Sequence, residues 1–242
     1  MLRGFDTSAH GARLWLVLAS VLACISAAVL ALLGTRASAD EVFSWDARLH
    51  GFLSSFSQPE FNEVADDLIN VFLRFGTNLF TLAILGAAVY LLVARKRLRT
   101  AAVTTSSVVG AIVFTYLLKN VFERPELSAY AKYELPSGHA TRSLVATALL
   151  LALVWGTRWR WLVAAAGSVF VAAAGASVVY ADWHLPSDVL AGWALATAVL
   201  AAAGIVFLLS SGPAETIAPG AEQEGPAAAP LHSDDIVWTG RT

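Results

Sequence analysis

Seven polar residues carry most of the chemistry this chain can offer: Lys119, Arg124, Ser137, His139, Asp182, His184 and Asp188. They fall in two short stretches, residues 119–140 and 181–188, each set between long apolar runs. The chain has only five histidines, and two of them sit here. The grouping suits a phosphate. Pro136-Ser137-Gly138-His139 directly precedes an apolar run that reads as helix. Proline is preset for a helix start, and Gly138 lets backbone approach a ligand closely. The amides and dipole of such a helix N-terminus attract an anion, and Lys119 and Arg124 add charge-assisted bonds to phosphate oxygens. His184 and Asp188, four apart around Pro186, make a nucleophile or base with its orienting carboxylate. Each residue also has a plainer reading. Lys119 can snorkel to an interface, Asp188 can cap the helix that follows it, and a lone histidine at a helix end is more often structural. Their gathering at one pair of loops favours chemistry.

The elements that must position these residues are membrane helices. Hydrophobic residues make up 57% of the 242 and charged residues 14%, with a mean hydropathy of +0.64. A soluble domain is nearer a quarter charged, so this chain lacks the polar residues to cover a wet surface. The apolar residues also fall in runs of about twenty, the length that crosses a bilayer as helix. Six runs read as spans: Leu14–Gly34, Thr77–Val93, Ala101–Leu118, Thr141–Gly156, Leu162–Tyr180 and Val189–Leu209. The expectation is an all-α, polytopic six-helix bundle over residues 14–209, between an N-terminal segment 1–13 and a disordered tail 210–242 rich in Pro, Gly, Ala and acids. The short fourth span gains length from the residues before it. Ala37-Ser38-Ala39 resembles a signal-peptidase site, but the apolar run before it is about 20 residues against the usual ~7–15, which favours a retained anchor.

Arg95, Lys96, Arg97 and Arg99 join spans two and three, and Arg158 and Arg160 join spans four and five. The positive-inside rule puts both loops, and with them both termini, in the cytoplasm. The phosphate-suited stretches then face outward, with residues 35–76. Within that outer segment, Phe52, Leu53 and Phe56, then Leu68, Val71 and Phe72, are spaced as in amphipathic surface helices. Tryptophans 155, 159, 161, 183 and 193 lie near span ends, as an interfacial belt would. Cys24 reads as a small core residue, and a single cysteine builds neither a disulfide framework nor a cysteine metal site. A net charge of −2 gives no reason to expect a nucleic-acid partner.

Lys119…Arg124-Pro125, then Pro136-Ser137-Gly138-His139, then Ser177…His184-Leu185-Pro186-Ser187-Asp188 resembles the three-part signature of the type-2 phosphatidic acid phosphatase superfamily, the lipid phosphate phosphatases. The likeness extends over all six spans and includes the order of the loops. It implies hydrolysis without a metal or other cofactor. By resemblance, His184 attacks phosphorus and forms a phosphohistidine, and Asp188 holds its imidazole in the useful tautomer. His139 protonates the leaving alkoxide and then activates water. Lys119, Arg124, Ser137 and the Gly138 amide bind phosphoryl oxygens. The implied partners are the bilayer and a phosphatidate-like lipid or a polyprenyl phosphate or diphosphate. A phosphotransferase would use the same chemistry.

Two departures from the family pattern stand out. Four residues, Asn120-Val121-Phe122-Glu123, separate Lys119 from Arg124, where the family has six. Either the loop is shorter or Arg124 replaces the usual arginine from a neighbouring place. In the third element, Ser177-Val178 stands where the family has Ser-Arg, and valine cannot bind phosphate. Arg142, three residues after His139 and about one helical turn on, is a candidate replacement. Its plainer alternatives are snorkelling or pairing with Glu134 or Asp182. The rival from another class is a non-catalytic lipid-phosphate-binding or scaffold protein. A transporter is disfavoured, because the spans show no mid-membrane breaks.

Overall fold

A computed structural model describes residues 9–39, 43–55, 67–68, 71–72, 76–123 and 135–210. The chain separates into a unit Met1–Ser211 and a second unit Gly212–Thr242; the expected tail beyond Ser210 lies outside the described residues. So do Arg124 and Glu134. The described residues form seven helices and no strand: α1 (Ala9–Ser38), α2 (Ser44–Ser54), α3 (Thr77–Val93), α4 (Leu98–Phe122), α5 (Gly138–Val154), α6 (Arg160–Tyr180) and α7 (Pro186–Ser210).

All six expected spans are helices. Among the described residues α1, α4, α6 and α7 are long and apolar enough to cross a membrane, and α3 and α5 are shorter apolar helices. At 17 residues each, α3 and α5 reach about 25 Å at 1.5 Å per residue, the short end of the spanning range. The fold is an all-α membrane bundle. Most helices outrun their apolar runs by a few residues, because helix ends are set by caps rather than by hydropathy. The difference matters at α5, which starts at Gly138 and so takes His139 into its first turn.

Two helices sit at the centre. α5 touches α3, α4, α6 and α7, and α7 touches α1, α2, α4, α5 and α6. α1 lies mainly along α7, burying Leu30, Leu33 and Ala37 against Ala191, Ala194 and Leu195. Ser26, Leu30, Leu33 and Ala37 form one helical stripe; Cys24 falls off it and is exposed, so it is not the core residue its setting suggested. At its C-terminal end α1 locks onto α4. The Ser38 hydroxyl donates to Phe122 O at 2.7 Å, and a side chain at Gly34 would run into the Phe122 ring. Ala37 and Ser38 of the Ala37-Ser38-Ala39 stretch are therefore tied into the bundle, one by burial and the other by its hydrogen bond.

α5 and α7 approach closely at Gly192. A Cβ there would sit 2.6 Å from Ser137 O and 3.0 Å from Ala140 Cβ. The Thr141 hydroxyl reaches both Ser137 O (2.9 Å) and Gly192 O (3.1 Å) across the gap. Gly192→Ala should therefore lower stability by about 1–3 kcal/mol, the usual result of overpacking. Gly204→Ala, where nothing lies within 4 Å, should be neutral or stabilising, since glycine is the weaker helix former. Thermal unfolding of both variants in detergent checks the pair; equal midpoints would show that the Gly192 contact is soft.

Candidate active site

The N-terminus of α5 and the turn before α7 form one cluster. Ser137 is the N-cap of α5, with φ −66° and ψ 117°, and its hydroxyl faces the Ala140 amide at 3.5 Å. Pro136 therefore precedes the cap, and His139 is the second helical residue. The Ser137 amide donates to Asp188 O at 2.9 Å. That bond fastens the start of α5 to the first turn of α7.

The α6–α7 turn is compact because one carbonyl closes it. Val178 O accepts from both Trp183 N (3.0 Å) and His184 N (3.1 Å). Asp182 takes a left-handed φ of 54°, a conformation that aspartate tolerates better than most residues. Pro186 is the first residue of α7, where its missing N–H costs nothing. Asp188, two residues on, reaches back so that its Oδ2 accepts from Leu185 N at 2.8 Å. This is the acidic half of a capping box.

That same Oδ2 lies 3.6 Å from His184 Nδ1. His184 is 6% exposed and Asp188 0%. The separation is ion-pair range rather than a hydrogen bond, and it leaves Nε2 as the ring nitrogen turned from Asp188. The His139 ring lies 5.9 Å from that of Trp183, tilted by 43°. Because Trp183 directly precedes His184, both histidines come to the same end of the bundle. Trp183 and Trp193 are half-buried against the cluster of Ala140, Ala174, Val178 and Val189; these two are packing residues rather than members of an interfacial belt. Trp159 and Trp161 are exposed, beneath Arg158 and Arg160 at 5.2 and 5.1 Å, as a belt requires.

Lys119 stands half-buried in the last turn of α4, and Gly138 faces the α4 residue Thr115. Arg142 is half-buried as well. Its Nε donates to Gly138 O at 3.1 Å and its Nη1 to Asn78 Oδ1 on α3. The guanidinium thus bridges α5 and α3, while His139 turns to Trp183. Asp182, one of the alternative partners for Arg142, is instead bonded to His50 Nε2 at 2.8 Å. Val178 is fully buried in the apolar cluster and presents no surface to a ligand. Among the described residues no three His, Cys, Asp or Glu side chains group as a metal site would need.

A family model described as the PAP2 superfamily matches residues 100–209. Those residues are a PAP2 superfamily domain. The stretch covers α4 to α7 and takes in Lys119, Arg124, Ser137, Gly138, His139, Arg142, His184 and Asp188. The crystal structure titled the first transmembrane PAP2 type phosphatidylglycerolphosphate phosphatase from Bacillus subtilis is similar at a TM-score of 0.57 and 19% identity. The match covers 74% of this chain and 93% of that one, a likeness of fold. No curated protein matches the chain.

Several residues that shape the candidate site had no signal in its motifs. Thr141 and Gly192 set the α5–α7 approach, and Asn78 holds Arg142. Asp46, fully buried on α2, accepts from Ser187 N at 2.8 Å. The positions of Thr141, one turn from the cap, and Gly192, one turn from Asp188, were the only sequence hints.

Proposed function

We propose that the protein is a membrane phosphatase that hydrolyses a lipid-linked phosphate monoester or diphosphate through a phosphohistidine. The observation that carries this reading is the buried His184–Asp188 pair beside the capped N-terminus of α5, with His139 in that helix's first turn. His184 Nε2 attacks phosphorus as the P–O bond to the lipid breaks, and His139 gives its proton to the departing oxygen. His139 then takes a proton from water. The water oxygen attacks phosphorus, the N–P bond breaks, and phosphate leaves with His184 restored. First-turn amides lack intrahelical acceptors and suit the equatorial oxygens, with Ser137, Gly138, Lys119 and Arg124 around them. Catalysis of this kind rests on positioning and charge.

The site lies on the extracytoplasmic face in this reading, supported by the cationic loops Arg95–Arg99 and Arg158–Arg160 at the opposite helix ends. Both termini are then cytoplasmic. The substrate is a phosphatidate-like lipid or a polyprenyl phosphate or diphosphate, and phosphoryl transfer to an acceptor lipid is the variant of the same chemistry. One observation favours a second reading, non-catalytic lipid-phosphate binding: the third-motif cation is replaced by a sealed valine.

Phosphate release by the protein in detergent, with a metal chelator present and a panel of lipid phosphates, is the first test. His184→Ala should abolish turnover and any trapped phosphoprotein. His139→Ala should slow the first step by roughly 10²–10⁴, the usual range for general acid–base catalysis. A phosphoprotein that persists without His184 would mean another nucleophile.

For sidedness, cysteines placed at the exposed positions Ser55 and Leu98, in a Cys24→Ala background, should label from opposite sides of intact cells. An impermeant reagent should reach Ser55→Cys only. Labelling of Leu98→Cys alone would invert the topology.

Arg142 supplies the missing cation in this proposal. Its hydrogen bond to Gly138 O holds the guanidinium stem beside the phosphate end of α5. Arg142→Ala should then cost roughly 10²–10³ in kcat, as for one charge-stabilising donor, and Arg142→Lys should recover only part, lacking the planar fork. An Arg142→Ala variant with full turnover would remove arginine 142 from the site, and a wild type without turnover would favour the binding reading.

A further inference from the structure

The helix α2 lies outside the matched residues 100–209, yet one stripe of it grips both ends of the turn that carries His184. Asp46, His50 and Leu53 are spaced i, i+4 and i+7, so they share a face. Asp46 Oδ1 accepts from Ser187 N at 2.8 Å, at the α7 end of the turn. His50 Nε2 bonds Asp182 Oδ1 at 2.8 Å, at the α6 end. Leu53 packs on the cluster of Val178, Val179 and Val189 beneath.

Leu185 occupies the N-cap position of α7 and has no side-chain acceptor to offer its amides. Asp188 satisfies the Leu185 amide, and Asp46 satisfies the next one from a distant helix. A carboxylate buried to 0% exposure is costly to keep, and here it is set at the positive end of α7, where the helix dipole favours it. The amide it holds belongs to the residue between Pro186 and Asp188, so this bond fixes the backbone that aims the carboxylate at His184.

We propose that Asp46 is a positioning residue for the nucleophile: α2 is a brace that holds the His184 turn in its reactive shape. The inference rests on the phosphatase reading and adds to it a part of the machinery that the three motifs do not contain. Asp46 acts through Ser187 and Asp188 and touches no reacting atom.

The test uses the full chain in detergent, with phosphatidate and polyprenyl diphosphate as substrates and amide hydrogen exchange over residues 183–189 as a readout independent of turnover. Asp46→Ala should lower kcat about 10²-fold, the scale of a small misplacement of a reacting group, with KM little changed. Exchange at the Ser187 amide should accelerate. Asp46→Asn keeps an oxygen acceptor and should restore most of both. Leu53→Ala is the control for general loosening; it should lower the melting temperature without the selective change at Ser187. Unchanged kcat and a protected Ser187 amide in Asp46→Ala would overturn the proposal, as would a kcat loss that only tracks the folded fraction and matches Leu53→Ala. A wild type that releases no phosphate from either lipid, with the Ser187 amide still responding to Asp46→Ala, would keep the brace and remove the phosphatase reading.

Discussion

The site depends on how closely α7 lies against the first turn of α5. His139 and His184 belong to separate helices, and nothing local in the sequence relates one to the other. Their relation is set where the Ser137 amide donates to Asp188 O and Thr141 spans to Gly192 O. In water such bonds are each worth only about 1 kcal/mol net, so their part is registry more than stability. The packing makes the registry unique. With a hydrogen atom as its side chain, Gly192 lets the backbones meet where any Cβ would strike Ser137 O. A slide of either helix would separate the cap from the Asp188 carbonyl and open the interface together.

In the proposed mechanism one side chain, Asp188, serves fold and chemistry at once. The plain expectation for this residue is a helix cap and the functional one is an orienting carboxylate. Both describe the same oxygen, 2.8 Å from Leu185 N and 3.6 Å from His184 Nδ1. The amide bond is the shorter and stronger of the two, and a charged acceptor strengthens it further. Asp188 is therefore held in place by the backbone of its own helix start. Catalytic hydrogen bonds commonly shorten only once substrate is bound, and a carboxylate held by its own helix start loses no orientation while that happens.

Much of this was legible in the sequence, for definite physical reasons. Spans are written in hydropathy because a helix crossing a bilayer core satisfies its own backbone and must be apolar on its lipid-facing side, so all six appear where the apolar runs lie. Pro136-Ser137-Gly138-His139 and Pro186-Ser187-Asp188 are helix starts written in local residue types, and the helices begin there. What depends on distant neighbours was hidden. Asp46 reads as an ordinary acid near the start of a surface helix, and only the tertiary fold brings Ser187 to it. Cys24 and the tryptophans 183 and 193 looked interchangeable with their neighbours because hydropathy gives depth in the membrane and not the direction a side chain faces. The pairing of Asp182 with His50, rather than with Arg142, has the same origin.

Arg142 is where membrane energetics bears most directly on the proposed role. An arginine inside a span is unfavourable by roughly 2.5–3.5 kcal/mol at mid-membrane on insertion scales and by less toward the helix ends. Snorkelling would reduce that cost, yet the side chain is half-buried and turned across the bundle to Asn78. Its bonds to Gly138 O and Asn78 Oδ1 use two of the five guanidinium N–H donors. A bundle held together for stability alone would do better with an apolar residue, because buried charges are often replaceable at no loss. The position, one turn into the helix whose N-terminus is the proposed anion site, gives the charge a use. With Val178 sealed in the apolar cluster, the use proposed for it is to stand in for the absent third-motif arginine, from α5 instead of from α6.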